Sequence, residues 1–128
     1  MSLRSPLSKV LGLGSAKDGT AHWWSQRVTA AALVPLTLWF VFSILGLPAW
    51  DYDTLSTWAS VPISGFLSVL LIAVAAYHSY LGTTVIVEDY VSGAGKVVWL
   101  ILLRFAYVLC AGAGIFAILR MSFGFPHP

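Results

Sequence analysis

Three long apolar runs, separated by short polar stretches, dominate the chain. The first extends from Val28 to about Leu47 and is interrupted only by Pro35; the second extends from Pro62 to about Val87, and the third from Val97 to about Leu119. Crossing ~30 Å of hydrocarbon at 1.5 Å per residue takes about 20 apolar residues. The runs therefore predict an all-α fold, an integral membrane bundle of three transmembrane helices. Pro62 suits a first helical turn, and Pro35 predicts a modest kink whose freed carbonyl neighbours or water must satisfy.

The stretches between the runs set the boundaries. Residues 1–26 are polar, small and Ser-rich, and carry Arg4, Lys9 and Lys17, so they are expected to form a cytoplasmic amino-terminal segment ahead of a membrane domain over 27–120. Their basic, Ser-rich character is like that of a mitochondrial transit peptide, whereas a secretory signal is not expected, because the first apolar run starts late and lacks a small-residue cleavage pattern. Pro48 to Ser60 sets Trp50, Tyr52 and Trp58 beside Asp51 and Asp53, the pattern of an interfacial loop with an aromatic belt. Ser92 to Gly95 reads as a turn, and 121–128 as a periplasmic tail in which His127 is solvated.

Composition agrees and narrows the possible functions. The chain has 128 residues, 59% hydrophobic and only 9% charged, against about 25% charged in soluble domains, so three crossings leave no room for a soluble catalytic domain. The single cysteine, Cys110, excludes a disulfide framework or a multi-thiolate iron–sulfur or zinc site within the chain. No Gly-rich nucleotide motif follows a strand pattern, and no nucleic-acid partner is expected. Electrons, if handled, must arrive from a partner. Arg4, Lys9, Lys17, Arg27 and Lys96 fall on the amino-terminal side against Arg120 on the other, which predicts a cytoplasmic amino terminus.

Four positions invite chemistry. His78 lies about nine residues inside the second run, ~14 Å from its polar exit, and an imidazole at that depth usually faces a bundle interior. A neutral imidazole there could ligate haem iron, with Gly82 one turn on admitting a flat macrocycle; the competing reading is a hydrogen bond to a neighbouring helix. Glu88, Asp89 and Tyr90 mark the exit on the amino-terminal side. Arg104 lies about seven residues into the third run, within snorkelling reach of the interface. Cys110, Gly112 and Gly114 give small-residue spacing for close helix contact.

The string His78-Ser79-Tyr80-Leu81-Gly82, followed by Glu88-Asp89-Tyr90-Val91, resembles the hydrophobic membrane anchor family of succinate dehydrogenase, complex II. Gly19 to Ala30, with His22 and the Arg27-Val28-Thr29-Ala30 segment, is similar to that family's entry into helix one. The resemblance implies His78 as an axial ligand of haem b, Arg27 and His22 at the haem propionates, and Tyr90 with Asp89 at a ubiquinone site. It further implies a haem shared with a second three-helix cytochrome b anchor subunit, docking of a flavoprotein and an iron–sulfur subunit, and electron transfer from succinate to quinone in the tricarboxylic acid cycle and respiratory chain. No activity is expected of the chain alone. The expected location is a bacterial inner (cytoplasmic) membrane, among its lipids, rather than the mitochondrial inner membrane.

Alternative readings give Arg27 as an anchor snorkelling to lipid phosphates, Tyr90 as a belt aromatic and Asp89 as a helix-end acid. They make the chain a transporter or channel subunit, in which Arg104, His78 and Asp89 form a proton or anion path, or a cofactor-free structural anchor.

Overall fold

The computed structural model describes residues 17–124. Four helices follow one another: α1 Lys17–Leu45, α2 Tyr52–Ser60, α3 Pro62–Tyr90 and α4 Ala94–Phe123. Thr20–Leu45 of α1, the whole of α3 and the whole of α4 are each long and apolar enough to cross a membrane. All three are longer than their apolar runs. α1 starts at Lys17 rather than Val28 and runs unbroken through Pro35; α3 continues through Glu88 and Asp89 to Tyr90. Arg4, Lys9 and His127 lie outside the described residues.

The expected loop at Pro48 to Ser60 instead contains α2. Asp51 caps it, its Oδ1 accepting the Thr54 N–H at 2.9 Å, a favoured way of satisfying a first-turn donor. Hydrogen bonding from Thr54, first by its side chain and then by its backbone N–H, holds the Asp51 carboxyl below the usual carboxylate value. That support for the cap is present above the ordinary carboxylate range and is lost as pH falls through the lowered value. Trp58 on α2 stacks on Trp39 of α1 at 5.9 Å and meets Phe40 edge-on at 6.2 Å. A 3.6-residue period in so short a stretch is masked by its aspartates and threonines.

α3 is the centre of the molecule. It packs against α1, α2 and α4, while α1 and α4 make no packing contact with each other. At one end Gln26 of α1 meets His78 of α3 and Lys96 Nζ donates to the Glu88 carbonyl at 2.8 Å. At the other, Ser122 Oγ of α4 donates to the Ala59 carbonyl at 2.8 Å. The start of α1, the end of α3 and the start of α4 therefore share one side of the bundle. Gly93, at φ 68°, turns the chain between α3 and α4 in a conformation that side chains rarely adopt.

Burial is inverted relative to a protein in water. Beside Leu36 and Leu81, the buried side chains among the described residues are small or hydroxyl-bearing, namely Ala59, Ser64, Ser68 and Thr84, while Phe66, Phe105, Leu109 and Phe116 are more than 60% exposed. Small residues let backbones approach where lipid rather than water is the alternative environment, and the exposed apolar side chains face hydrocarbon. Gly65 is the tightest approach: a Cβ there would lie 2.9 Å from the Ala59 carbonyl oxygen and 3.0 Å from Ser122 Oγ. At Gly114 it would meet Ile72 Cγ2 at 3.3 Å, the movable end of a side chain. Gly65→Ala is accordingly expected to destabilise the α2–α3–α4 contact by roughly 1–3 kcal/mol and Gly114→Ala by clearly less. Thermal denaturation of the two variants in detergent checks the order; equal midpoints would contradict it.

Candidate functional site

The extension of α1 to Lys17 builds the site. It turns His22, Gln26 and Thr29 into positions i, i+4 and i+7 on one helix face, and at Gln26 and Thr29 that face meets His78 of α3. Thr29 Oγ1 lies 2.7 Å from the Ser25 carbonyl and 3.1 Å from the Gln26 carbonyl, and 2.9 Å from His78 Nδ1. A hydroxyl has one proton to give. Thr29 Oγ1 and His78 Nδ1 are therefore hydrogen-bonded, with the donor set by the tautomer of the ring. The Gln26 amide Nε2 lies 3.4 Å from His78 Nε2, a long contact.

Two other polar atoms on this face, His22 Nε2 and Gln26 Oε1, are buried without a hydrogen-bond partner among the described residues. A buried polar atom left unpaired costs about 1–3 kcal/mol, so the face suits a polar group beyond those the described residues provide. Gly82 keeps it open: a Cβ there would meet only the Gln26 amide, at 3.5 Å. No group of three or more His, Cys, Asp or Glu is gathered among the described residues. These features fit a haem. In such a fit an imidazole nitrogen of His78 would meet iron and a ring nitrogen of His22 a carboxylate.

The other expected site residues stand apart from His78. Arg27 is exposed, with its guanidinium 5.3 Å from the Trp23 ring centroid, within cation–π range. Asp89 and Tyr90 form the last turn of α3, Tyr90 at 86% exposure, about 18 Å along the helix from His78. Arg104 lies on the α4 side of α3, lining a cavity of about 310 Å³ with Tyr77, Tyr80 and Tyr107. On that side Thr83 Oγ1 and Tyr107 Oη are 3.0 Å apart, and the Tyr80 and Tyr107 rings meet edge-on. His78 and Arg104 thus face different neighbours. Gln26 and Thr29 are the contacts that apolar-run reasoning misses; their spacing from His22 is the signal that points to them.

The model of the succinate dehydrogenase/fumarate reductase transmembrane subunit family matches residues 1–111. The chain belongs to this family. Among curated relatives, the succinate dehydrogenase hydrophobic membrane anchor subunit of Rickettsia bellii is 34% identical over 89 residues, covering 70% of this chain and 71% of the relative. The protein of the same name from Paracoccus denitrificans is 29% identical over 121 residues, covering 94% and 93%. The succinate dehydrogenase membrane anchor subunit of Reclinomonas americana is 30% identical over 88 residues, covering 66% and 73%. Membership of a transmembrane subunit family accounts for the apolar exterior of the three long helices.

Proposed function

We propose that this chain is the hydrophobic membrane anchor of a succinate dehydrogenase, and that it helps to hold haem b and ubiquinone where the catalytic subunits dock. The observation that supports the finer reading is His78: at mid-helix on the α1–α3 face, with Nδ1 hydrogen-bonded to Thr29 and Nε2 met only by the long Gln26 amide contact at 3.4 Å. His22 and Arg27 are proposed to meet the propionates, His22 through its unpartnered Nε2 and Arg27 by leaving the exposed Trp23 ring. The other axial ligand is assigned to a second three-helix cytochrome b anchor subunit. When bound, a b-type haem supplies a one-electron store at this depth of the membrane.

Tyr90 is proposed to donate its phenolic hydrogen to a ubiquinone carbonyl. A donor at ~2.7 Å strengthens its bond as that oxygen gains negative charge. Asp89, beside it, is suited to passing on the protons that quinol formation takes up. Both stand at the end of α3 together with the starts of α1 and α4, the side carrying Lys17, Arg27 and Lys96. The excess of Lys and Arg supports a cytoplasmic placement of that side, in the proposed setting of a bacterial inner membrane, where a flavoprotein and an iron–sulfur protein would dock. A transport path through Arg104, His78 and Asp89 gains no support from residues that face different neighbours.

A tag on this chain tests the proposal. Purified from a strain producing all subunits, the chain is expected to bring with it a flavoprotein, an iron–sulfur protein and another small membrane protein, and to oxidise succinate with an artificial acceptor. Expressed without them it should be inactive. An active single chain, or capture of no flavoprotein under gentle solubilisation, would refute the reading.

A further inference from the structure

We infer that Thr29 is the positioning residue that fixes the tautomer and orientation of the His78 ring, an assignment that rests on the reading of His78 as haem ligand. The geometry is directional. Thr29 Oγ1 gives its single proton to the carbonyls one turn back, Ser25 at 2.7 Å and Gln26 at 3.1 Å, and faces His78 Nδ1 at 2.9 Å with only lone pairs. Nδ1 must then carry the ring proton, because a neutral imidazole has one N–H and the opposite arrangement would set two acceptors against each other. Nε2 is left unprotonated, with the Gln26 amide 3.4 Å away.

Two consequences follow from general chemistry. A ligating histidine whose other nitrogen donates to an oxygen is held against rotation and becomes a more basic ligand, which favours the ferric over the ferrous state of a haem iron. The strength of that bias depends on the acceptor. Here the acceptor is a hydroxyl whose own proton is already engaged, which polarises it toward the imidazole N–H. The backbone of α1 is therefore coupled to the ligand of α3 through one oxygen atom.

The test uses the whole complex purified through a tag on this chain, with Thr29→Val, which removes the hydroxyl at nearly constant shape, and Thr29→Ser, which retains it. Haem content, midpoint potential and the electron paramagnetic resonance spectrum of the oxidised haem are the readouts. The valine variant is expected to shift the ferric–ferrous equilibrium toward ferrous by up to about tenfold, the worth of one hydrogen bond, which for one electron is about 59 mV upward. Its resonance signals should change shape as the ring is freed, whereas the serine variant should stay close to wild type. Valine complexes with full haem, an unchanged potential and an unchanged resonance spectrum would overturn the inference. If valine loses haem, a serine variant that keeps it supports the hydroxyl's role, and a serine variant that loses it equally contradicts that role. A wild-type complex without haem would instead refute the ligand reading itself, a distinct outcome.

Discussion

Replacing His78 by leucine is expected to remove most of the b-haem from the assembled complex while leaving this chain in the membrane. Leucine approximates the imidazole in bulk and favours a lipid-spanning helix, so α3 should insert as before. The Thr29 hydroxyl keeps its bonds to the Ser25 and Gln26 carbonyls in the variant; the Gln26 amide loses a long contact. Such local losses amount to about 1–3 kcal/mol, and they fall on α1 and α3 rather than on a docking surface. The reduced-minus-oxidised absorbance difference should fall to a small fraction of wild type, while co-purification of the flavoprotein reports that assembly continues. An unchanged spectrum in the assembled variant would return His78 to the role of a packing residue bonded to α1.

Tyr90→Phe is expected to lower quinone reduction by about one to two orders of magnitude. The substitution removes a hydroxyl and keeps the ring, and at 86% exposure that ring is held by little else in the chain, so the fold should not respond. A hydrogen bond that strengthens as its acceptor gains charge is worth roughly 1.5–3 kcal/mol, and about 1.36 kcal/mol is tenfold in rate. Succinate oxidation measured with a soluble artificial acceptor should stay near normal, because that route bypasses the end of α3. Equal quinone reduction by variant and wild type would make Tyr90 a belt aromatic only.

The three spans are legible in the sequence because burial in lipid demands length and apolarity, both of which a sequence displays directly. Their ends are not. Residues 17–27 contain a glycine, three charges and no apolar run, yet they are helical and at Gln26 meet His78 of α3; that contact is tertiary information. α2 is hidden for a related reason: its helix rests on the Asp51 cap and on Trp58 between Trp39 and Phe40, contacts that for the aromatics join residues far apart in the chain. At the candidate site, depth and residue type single out His78. Thr29 and Gln26 lie in a resembling segment, and their i+7 and i+4 spacing from His22 becomes a signal only once the helix is known to start before His22, a boundary that hydropathy sets too late. Tyr90 and Asp89 sit where the apolar pattern puts them, at the exit of the helix, but an exposed end holds no contact by which a structure of one chain reports a ligand.

Whether this chain holds haem is decided most simply by a difference spectrum of the complex purified through it, recorded with succinate as reductant and again with dithionite. A b-type haem band is expected under dithionite and is expected to be lost in His78→Leu, with at least part of the band developing under succinate. A complex that oxidises succinate and reduces quinone at full rate with no b-type band under either reductant would contradict the assignment of His78 as haem ligand.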